Sequence, residues 1–502
     1  MKLDRFYIRN HLLLQDLDLR FNRPGRLEQG DYALDFLVGL NGSGKSTILR
    51  SLGQVYAALR TDQTTTFDYT LEYRLGETER EQKVTIRQTR EIDGIPVRHM
   101  TVTREGSSKP AYDADAIDQN YLPDQLVVYT TGSEEAWEKL SARPSQMASI
   151  KAAKDETLAD PRQRSLVELP GAQLAEAEKQ DSQILLIRNS RLPTIALCGF
   201  LVHQATVQST AQGPLQPVLE AVGMQRLAGF SLLFHIHPIL SPLDTFDRLK
   251  PLATRHIQQG ARHLLVFNLP NGDASLPQKL LDAFTGSLAL FQELDALQEV
   301  AQTGLPTLQQ VNLFFERSLA KPEDAAEETP GMPRLLLFNW LSDGEQSFLA
   351  RMALMAMLDT EDSLILLDEP EVHFNDYWKR EIVNLLATLT GHYPNQLLVT
   401  THSMIVISDV TASQVLLLVK GDDGRVQVID TLAPTFGADP GEIMNDLLGT
   451  GRPGGVYSRD YLKDALKRGD LAELTELVEI TGPGYWRFRI RARIEELHAA
   501  SH

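Results

Sequence analysis

The 502-residue sequence predicts an α/β fold, and three stretches carry that prediction. "YALDFLVGLNGSGKST" at 32–47 reads as an apolar strand, a glycine-rich turn and the start of a helical pattern. "SLILLDEPE" at 363–371 and "QLLVTTHS" at 396–403 are two further apolar strands, each ending in groups able to do chemistry. Near-continuous apolar runs of this kind suit strands buried on both faces of a sheet.

The remaining elements follow in chain order. "RFYIRN" and "LLLQDLDLRF" in residues 1–40 alternate with a period of two, as half-buried strands do. The helical pattern after the glycine-rich turn runs to about Arg60. "TFDYTLEYRL", "QKVTIRQT" and "RHMTVTR" then suggest an antiparallel meander, and "DQLVVYTTGS" at 124–133 a strand entering a polar loop.

From 141 to 333 the texture changes. "SLVELPGAQLAEAEKQ", "TIALCGFLVHQ" and "SLALFQELDALQEVAQ" are helical in composition, and no heptad register persists, which argues against a long coiled coil. The Pro- and acid-rich "AKPEDAAEETPGMP" at 320–333 closes this insert. The expected organisation is therefore an N-terminal lobe at 1–140, a mainly helical insert at 141–333, a C-terminal lobe at 334–430 and a helical tail at 431–502.

Composition narrows the class. A hydrophobic content of 42% with 23% charged residues is that of a globular chain with a substantial core. The net charge of −18 argues against a generally basic nucleic-acid binder, although residues 1–60 hold nine Lys/Arg against six Asp/Glu. The single cysteine, Cys198, excludes an internal disulfide framework and lies in an apolar run, as a buried structural thiol does. The start lacks a signal-type apolar core and no apolar run is long enough for a membrane span, so a cytoplasmic location without membrane contact is expected.

The chemistry lies in four stretches. Gly39–Thr47 matches G-x-x-x-x-G-K-[ST] between strand and helix, the context of a P-loop. Its backbone N–H groups, from Asn41, Gly42, Ser43 and Gly44 to Thr47, would curl round a β-phosphate at a helix N-terminus. Lys45 would reach the β- and γ-phosphates of ATP, and Ser46 would hold Mg²⁺. Asp368, at the end of its strand, suits the second Mg²⁺ contact, and Glu369 beside it could activate the attacking water. His402, ending the next strand, could hydrogen-bond the γ-phosphate. The fourth stretch, "LSDGEQ" at 341–346, sits at the mouth of a helix; taken alone, Ser342 is a helix N-cap.

In this order the four stretches resemble the ABC-type ATPases, with "LSDGEQ" as the signature; transporters usually have Gly and Gln where Asp343 and Glu345 stand. The resemblance implies a P-loop ATPase head with a mixed central sheet and an antiparallel meander. It also implies that Ser342, Gly344 and Glu345 meet ATP bound to the P-loop of a second protomer, in a head-to-tail dimer or higher oligomer. Gly44 and Gly344 are 344 − 44 = 300 residues apart, far more than in transporter subunits. That spacing and "DEPEVHFND" resemble the SMC/RecF/OLD-like branch, whose members act on nucleic acid or in genome defence. The implied role is the ATPase half of a bacterial anti-phage system (restriction-associated, retron-associated or Septu-like) that controls a separate nuclease or toxin subunit. Two alternatives are a RecF-like DNA-repair ATPase that binds DNA directly, and a slowly hydrolysing nucleotide-gated scaffold that silences a toxin.

The chain departs from the pattern in two places. No glutamine follows the strand at 125–129 where the family has its Q-loop, leaving Thr130, Ser133 or Glu134 as substitutes. Asn375 occupies the position of the D-loop aspartate, which implies slow hydrolysis. About eighty residues follow residue 420 without a paired D-x-D and upstream Glu, so no intrinsic nuclease is expected. His235 and His237 could form a metal pair, but no third ligand accompanies them in the sequence. "YWRFRIRARIEE" at 485–496 offers Arg487, Arg489, Arg491 and Arg493 with Trp486 and Phe488 as a candidate nucleic-acid contact or as a solvated terminal helix.

Overall fold

The computed structural model describes all residues except 22, 26–31, 77–80, 92, 105–109, 142–183, 211–212, 237–242, 270–273, 303–306, 318–333, 359, 391–392, 430–432, 450–454 and 501–502. The helical stretch expected at 165–180, the linker at 320–333 and His237 lie outside the described residues. The chain forms two compact units, Met1–Ala438 and Asp439–His502.

The first unit is built on a seven-stranded sheet. Its order is Val426–Ile429, Val415–Lys420, Ala33–Val38, Gln396–Thr401, Leu364–Asp368, Leu126–Thr130, Ile184–Ile187. Every pairing is parallel except that of the edge strand Val426–Ile429. Ala33–Val38, Gln396–Thr401, Leu364–Asp368 and Leu126–Thr130 are buried along their whole length, which explains why they read as continuous apolar runs. Parallel alignment brings their carboxyl ends, and the loops that carry chemistry, to one edge of the sheet.

The expected meander is a six-stranded antiparallel sheet, ordered Leu17–Arg20, Lys2–Arg9, Asp68–Leu75, Gln82–Arg90, Pro96–Arg104, Tyr112–Ala114. The helix Lys45–Arg60 is sandwiched between the two sheets. Its Ile48, Leu52, Val55 and Leu59 share a core with Phe6, Tyr73 and Ile86 on one side and Leu126, Leu366 and Leu398 on the other. This mixed central sheet, the antiparallel sheet and the helix buried between them fit the α/β head that the resemblance to P-loop ATPases implies.

The insert is less purely helical than its sequence suggests. Helices Leu192–Thr210 and Ser287–Gln302 form as expected, but they accompany a five-stranded antiparallel sheet. Its order is Arg255–Gln259, Arg262–Asn268, Arg226–His235, Leu308–Arg317, Arg334–Leu337. The central strand, "RLAGFSLLFH", is covered on both faces and so shows no period-2 alternation to separate it from a buried helix. Gly199 lets Leu192–Thr210 press against the helix Asp343–Met357. A Cβ there would lie 2.2 Å from the Ala353 carbonyl oxygen.

The boundary expected at 431 falls after Ala438. Thr435 Oγ1 donates to Val410 O at 2.6 Å and Gly437 N to Ser408 O at 2.7 Å, tying this segment to the first unit. In the second unit Val456–Arg468, Leu471–Ile480 and Tyr485–Ala500 pack around Leu462, Ala465, Leu474, Leu477 and Ile490. No helix among the described residues is long and apolar enough to cross a membrane.

Candidate functional site at the carboxyl edge of the parallel sheet

The strand Ala33–Val38 delivers the chain into the turn Gly39–Gly44, and Lys45 opens the helix. Two glycines are needed for different reasons. Gly42 adopts φ 79° in open space, so backbone conformation alone selects it. Gly39 has no room, since a Cβ would sit 2.5 Å from Leu418 O and 2.5 Å from Ser43 Oγ. Asn41 and Gly42 are exposed at the lip, whereas Ser43, Gly44, Lys45 and Thr47 are buried and Ser46 is half-buried.

Lys45 Nζ donates to Gly39 O at 2.9 Å and more weakly to Leu40 O at 3.4 Å. Burial lowers its pKa, opposed by the charges of Glu369, Asp368 and Glu371, so the ammonium group belongs to an acidic cluster. Among the described residues, Ser43 Oγ is buried without a hydrogen-bond partner. That hydroxyl in a glycine-lined turn, beside a lysine whose bonds go to carbonyls of its own loop, fits a polyphosphate.

Asp368 is the hub. Its Oδ1 accepts from Ser46 Oγ at 3.2 Å and Thr400 Oγ1 at 2.6 Å, and its Oδ2 from Thr130 Oγ1 at 3.2 Å. One carboxylate facing one serine hydroxyl is the oxygen donor set Mg²⁺ takes when phosphates complete its shell. The residues present therefore fit both nucleotide and metal.

Glu369 adopts a left-handed backbone, φ 51°, fixed by its N–H bonds to Thr400 O at 3.1 Å and Thr400 Oγ1 at 2.9 Å. Its Oε1 lies 2.8 Å from His402 Nε2. Burial lowers the His402 pKa, aided by Lys45 and opposed by Glu369. Beneath them Glu371 is buried; its Oε1 accepts from Thr401 Oγ1 and from His402 N at 3.4 Å. Burial raises the Glu371 pKa.

Ser342 caps the helix Asp343–Met357. Glu345 N donates to Ser342 Oγ at 3.3 Å, and Ser342 N and Oγ donate to Glu345 Oε2 at 2.8 and 2.9 Å, a complete capping box. Ser342 and Asp343 are exposed. Gly344 permits close packing, because a Cβ would lie 2.7 Å from His373 O. The side-chain bonds of Ser342, Glu345 and Gln346 all stay within this helix start and do not reach the P-loop.

Of the three Q-loop substitutes, Thr130 stands at the site. Glu134 instead accepts from Asn189 N at 3.0 Å. Asn375 Oδ1 accepts from Trp378 N at 2.9 Å and so caps the helix Asp376–Thr390. Thr400 was missed in the sequence; its signal was the pair of threonines ahead of His402.

Other candidates do not assemble. The spacing of the four arginines by two would line a strand. On the helix Tyr485–Ala500 it separates the i,i+4 pairs Arg487/Arg491 and Arg489/Arg493 onto different flanks, and Arg493 Nη1 donates to Glu496 Oε2 at 2.8 Å. His235 ends its strand, and among the described residues no cluster of three or more His, Cys, Asp or Glu offers a metal site. Cys198 is buried, and burial raises its thiol pKa.

Residues 288–408 match a family model described as "AAA domain, putative AbiEii toxin, Type IV TA system", a stretch holding Ser342, Asp368, Glu369 and His402. None of the curated proteins compared with the chain matches it. Among solved structures, the SMC head domain from Thermotoga maritima is similar at 12% identity and TM-score 0.35, covering 86% of this chain and 100% of that one. An Smc head domain with an extended coiled coil, bound to the C-terminal domain of ScpA and derived from Pyrococcus furiosus, gives 13% and 0.31, with 85% and 96% covered. The recombination mediator protein RecF with ATP, of the RecFOR pathway, gives 12% and 0.31, with 86% and 98% covered.

Proposed function

We propose that the chain binds ATP with Mg²⁺, hydrolyses it, and closes as a head-to-tail pair in which Leu341–Gln346 of one copy covers the nucleotide of the other. The observation that carries this reading is the convergence of Lys45, Ser46, Asp368, Glu369 and His402 on one edge of the sheet. Ser342, with its hydroxyl exposed at a helix N-terminus, bonds only within its own helix start.

In this reading the Gly39–Thr47 backbone and Lys45 bind the phosphates, and Ser46 and Asp368 hold the metal. Mg²⁺, when bound, neutralises phosphate charge and orients the γ-phosphoryl group. Glu369 takes a proton from the attacking water, and His402 holds the Glu369 carboxylate until substrate arrives. Thr130 and Thr400 aim Asp368. Ser342 exchanges its bond to Glu345 for a phosphate oxygen of the facing copy, where the helix N-terminus favours an anion.

The cycle, by this proposal, controls a separate effector, a nuclease or toxin subunit, in bacterial anti-phage defence. Support comes from the resemblance of the four stretches to ATPases of that setting and from the toxin–antitoxin wording of the matching family. The test is phosphate release by the purified chain and by Lys45→Ala, followed by co-expression with the product of an adjacent gene. A chain without ATP turnover contradicts the enzyme. An effector indifferent to Lys45→Ala contradicts the control. ATP-dependent DNA binding by the chain alone would favour a RecF-like reading instead.

A further inference from the structure

Tyr129 is buried one residue before the end of its strand, and its hydroxyl is a junction. It donates to Asn189 Oδ1 at 2.7 Å and accepts from Arg351 Nε at 2.6 Å. Burial raises its pKa, which keeps the phenol protonated and able to donate.

Asn189 stands just before the insert helix Leu192–Thr210 and grips the end of the Tyr129 strand from both sides. Its Nδ2 donates to Thr130 O at 3.0 Å and its N–H to Glu134 Oε1 at 3.0 Å. The Thr130 hydroxyl is the one that bonds Asp368.

Arg351 lies on the helix that Ser342 caps, 351 − 342 = 9 residues further on, and is only 3% exposed. Its Nη1 donates to Pro370 O and to Val372 O at 2.6 Å, the carbonyls on either side of Glu371 in the turn that Glu369 begins. The guanidinium lies 5.0 Å from the Tyr129 ring centroid and 5.1 Å from that of Phe374. A buried guanidinium carries a large desolvation penalty, met here by hydrogen bonds and two aromatic faces. A cleft of about 290 Å³, lined by Thr131, Asn189, Leu192, Gln346 and Arg351 among others, opens onto this junction between insert and helix.

We propose that Tyr129, Asn189 and Arg351 are positioning residues that tie the insert and the Ser342 helix to Asp368 and Glu369. A shift of the insert, or capture of the facing copy's nucleotide at Ser342, then sets the hydrolytic geometry of the chain's own site. None of the three touches nucleotide; each acts through Thr130 or through the 370–372 turn. The inference deepens the ATPase reading and rests on it.

The test compares wild type with Tyr129→Phe, Asn189→Ala, Arg351→Lys and the double variant Tyr129→Phe/Arg351→Lys. Nucleotide affinity, kcat, the Hill coefficient for ATP and melting temperature are measured for each. Small misplacements of catalytic groups are costly, so kcat should fall about tenfold while Kd stays within about twofold. The Hill coefficient should drop from about 2 toward 1 as the two sites uncouple. The double variant should lose no more than the worse single, because the residues act as one unit. A packing role alone would lower melting temperature and weaken nucleotide binding together, and that result overturns the proposal. So does full rate and cooperativity in Tyr129→Phe and Arg351→Lys, or additive losses in the double. A wild-type chain that turns over no ATP overturns the ATPase reading and this inference together; cooperative wild-type turnover with unaffected variants overturns the relay alone.

Discussion

Thr400 illustrates what a single side chain settles. Its hydroxyl donates to Asp368 Oδ1 at 2.6 Å and accepts from Glu369 N at 2.9 Å, so one oxygen aligns Asp368 and the left-handed residue beside it. A left-handed backbone at a non-glycine residue costs about 1–2 kcal/mol and persists only when its surroundings fix it. Thr400→Val keeps the shape and removes the hydroxyl; we expect kcat to fall at least about tenfold and stability by about 1–3 kcal/mol, read by phosphate release and denaturant unfolding. Lys45, Asp368, Glu369 and His402 stand out in the sequence because each opens a helix or lies at or just past the end of an apolar strand. Thr400 and Arg351 do not, because their importance lies in partners that only the sheet brings near. His203 gives a separate test. It is buried, accepts from Leu215 N at 3.1 Å, and burial pulls its pKa down to about 4. The unfolded chain takes up this proton near pH 6.5 and the folded chain only near 4, so stability is full above 6.5 and declines across that window. His203→Gln, whose amide oxygen can accept the same N–H, should flatten that slope of melting temperature against pH.

At the scale of elements, the decisive contact is helix on helix. Leu192–Thr210 and Asp343–Met357 approach so closely at Gly199 that a methyl group would meet backbone, 2.2 Å from Ala353 O. Gly199→Ala should therefore destabilise the chain by about 1–3 kcal/mol through overpacking, measured by chemical denaturation, and should disturb turnover more than a surface Gly→Ala. Unchanged stability would mean that the helices can part without consequence. The helices and strands around the parallel sheet were readable because strand–turn–helix order and full burial leave plain marks. The five-stranded sheet of the insert was not, since a strand covered on both faces has the composition of a buried helix.

For the whole molecule, the charge of −18 and the splitting of the tail arginines onto two flanks make a nucleic-acid role for Tyr485–Ala500 weak. Arg489→Glu with Arg491→Glu should leave ATP turnover unchanged, and titration with DNA at moderate salt should show no difference from wild type. Head-to-tail closure needs two copies, so molecular mass reports it. Glu369→Gln, mixed with ATP and Mg²⁺, is followed by sedimentation or light scattering, with ADP as control. Its mass should double with ATP and not with ADP, and the doubling should be lost when Ser342→Arg is added. A variant that binds ATP stoichiometrically yet stays monomeric would contradict head-to-tail closure.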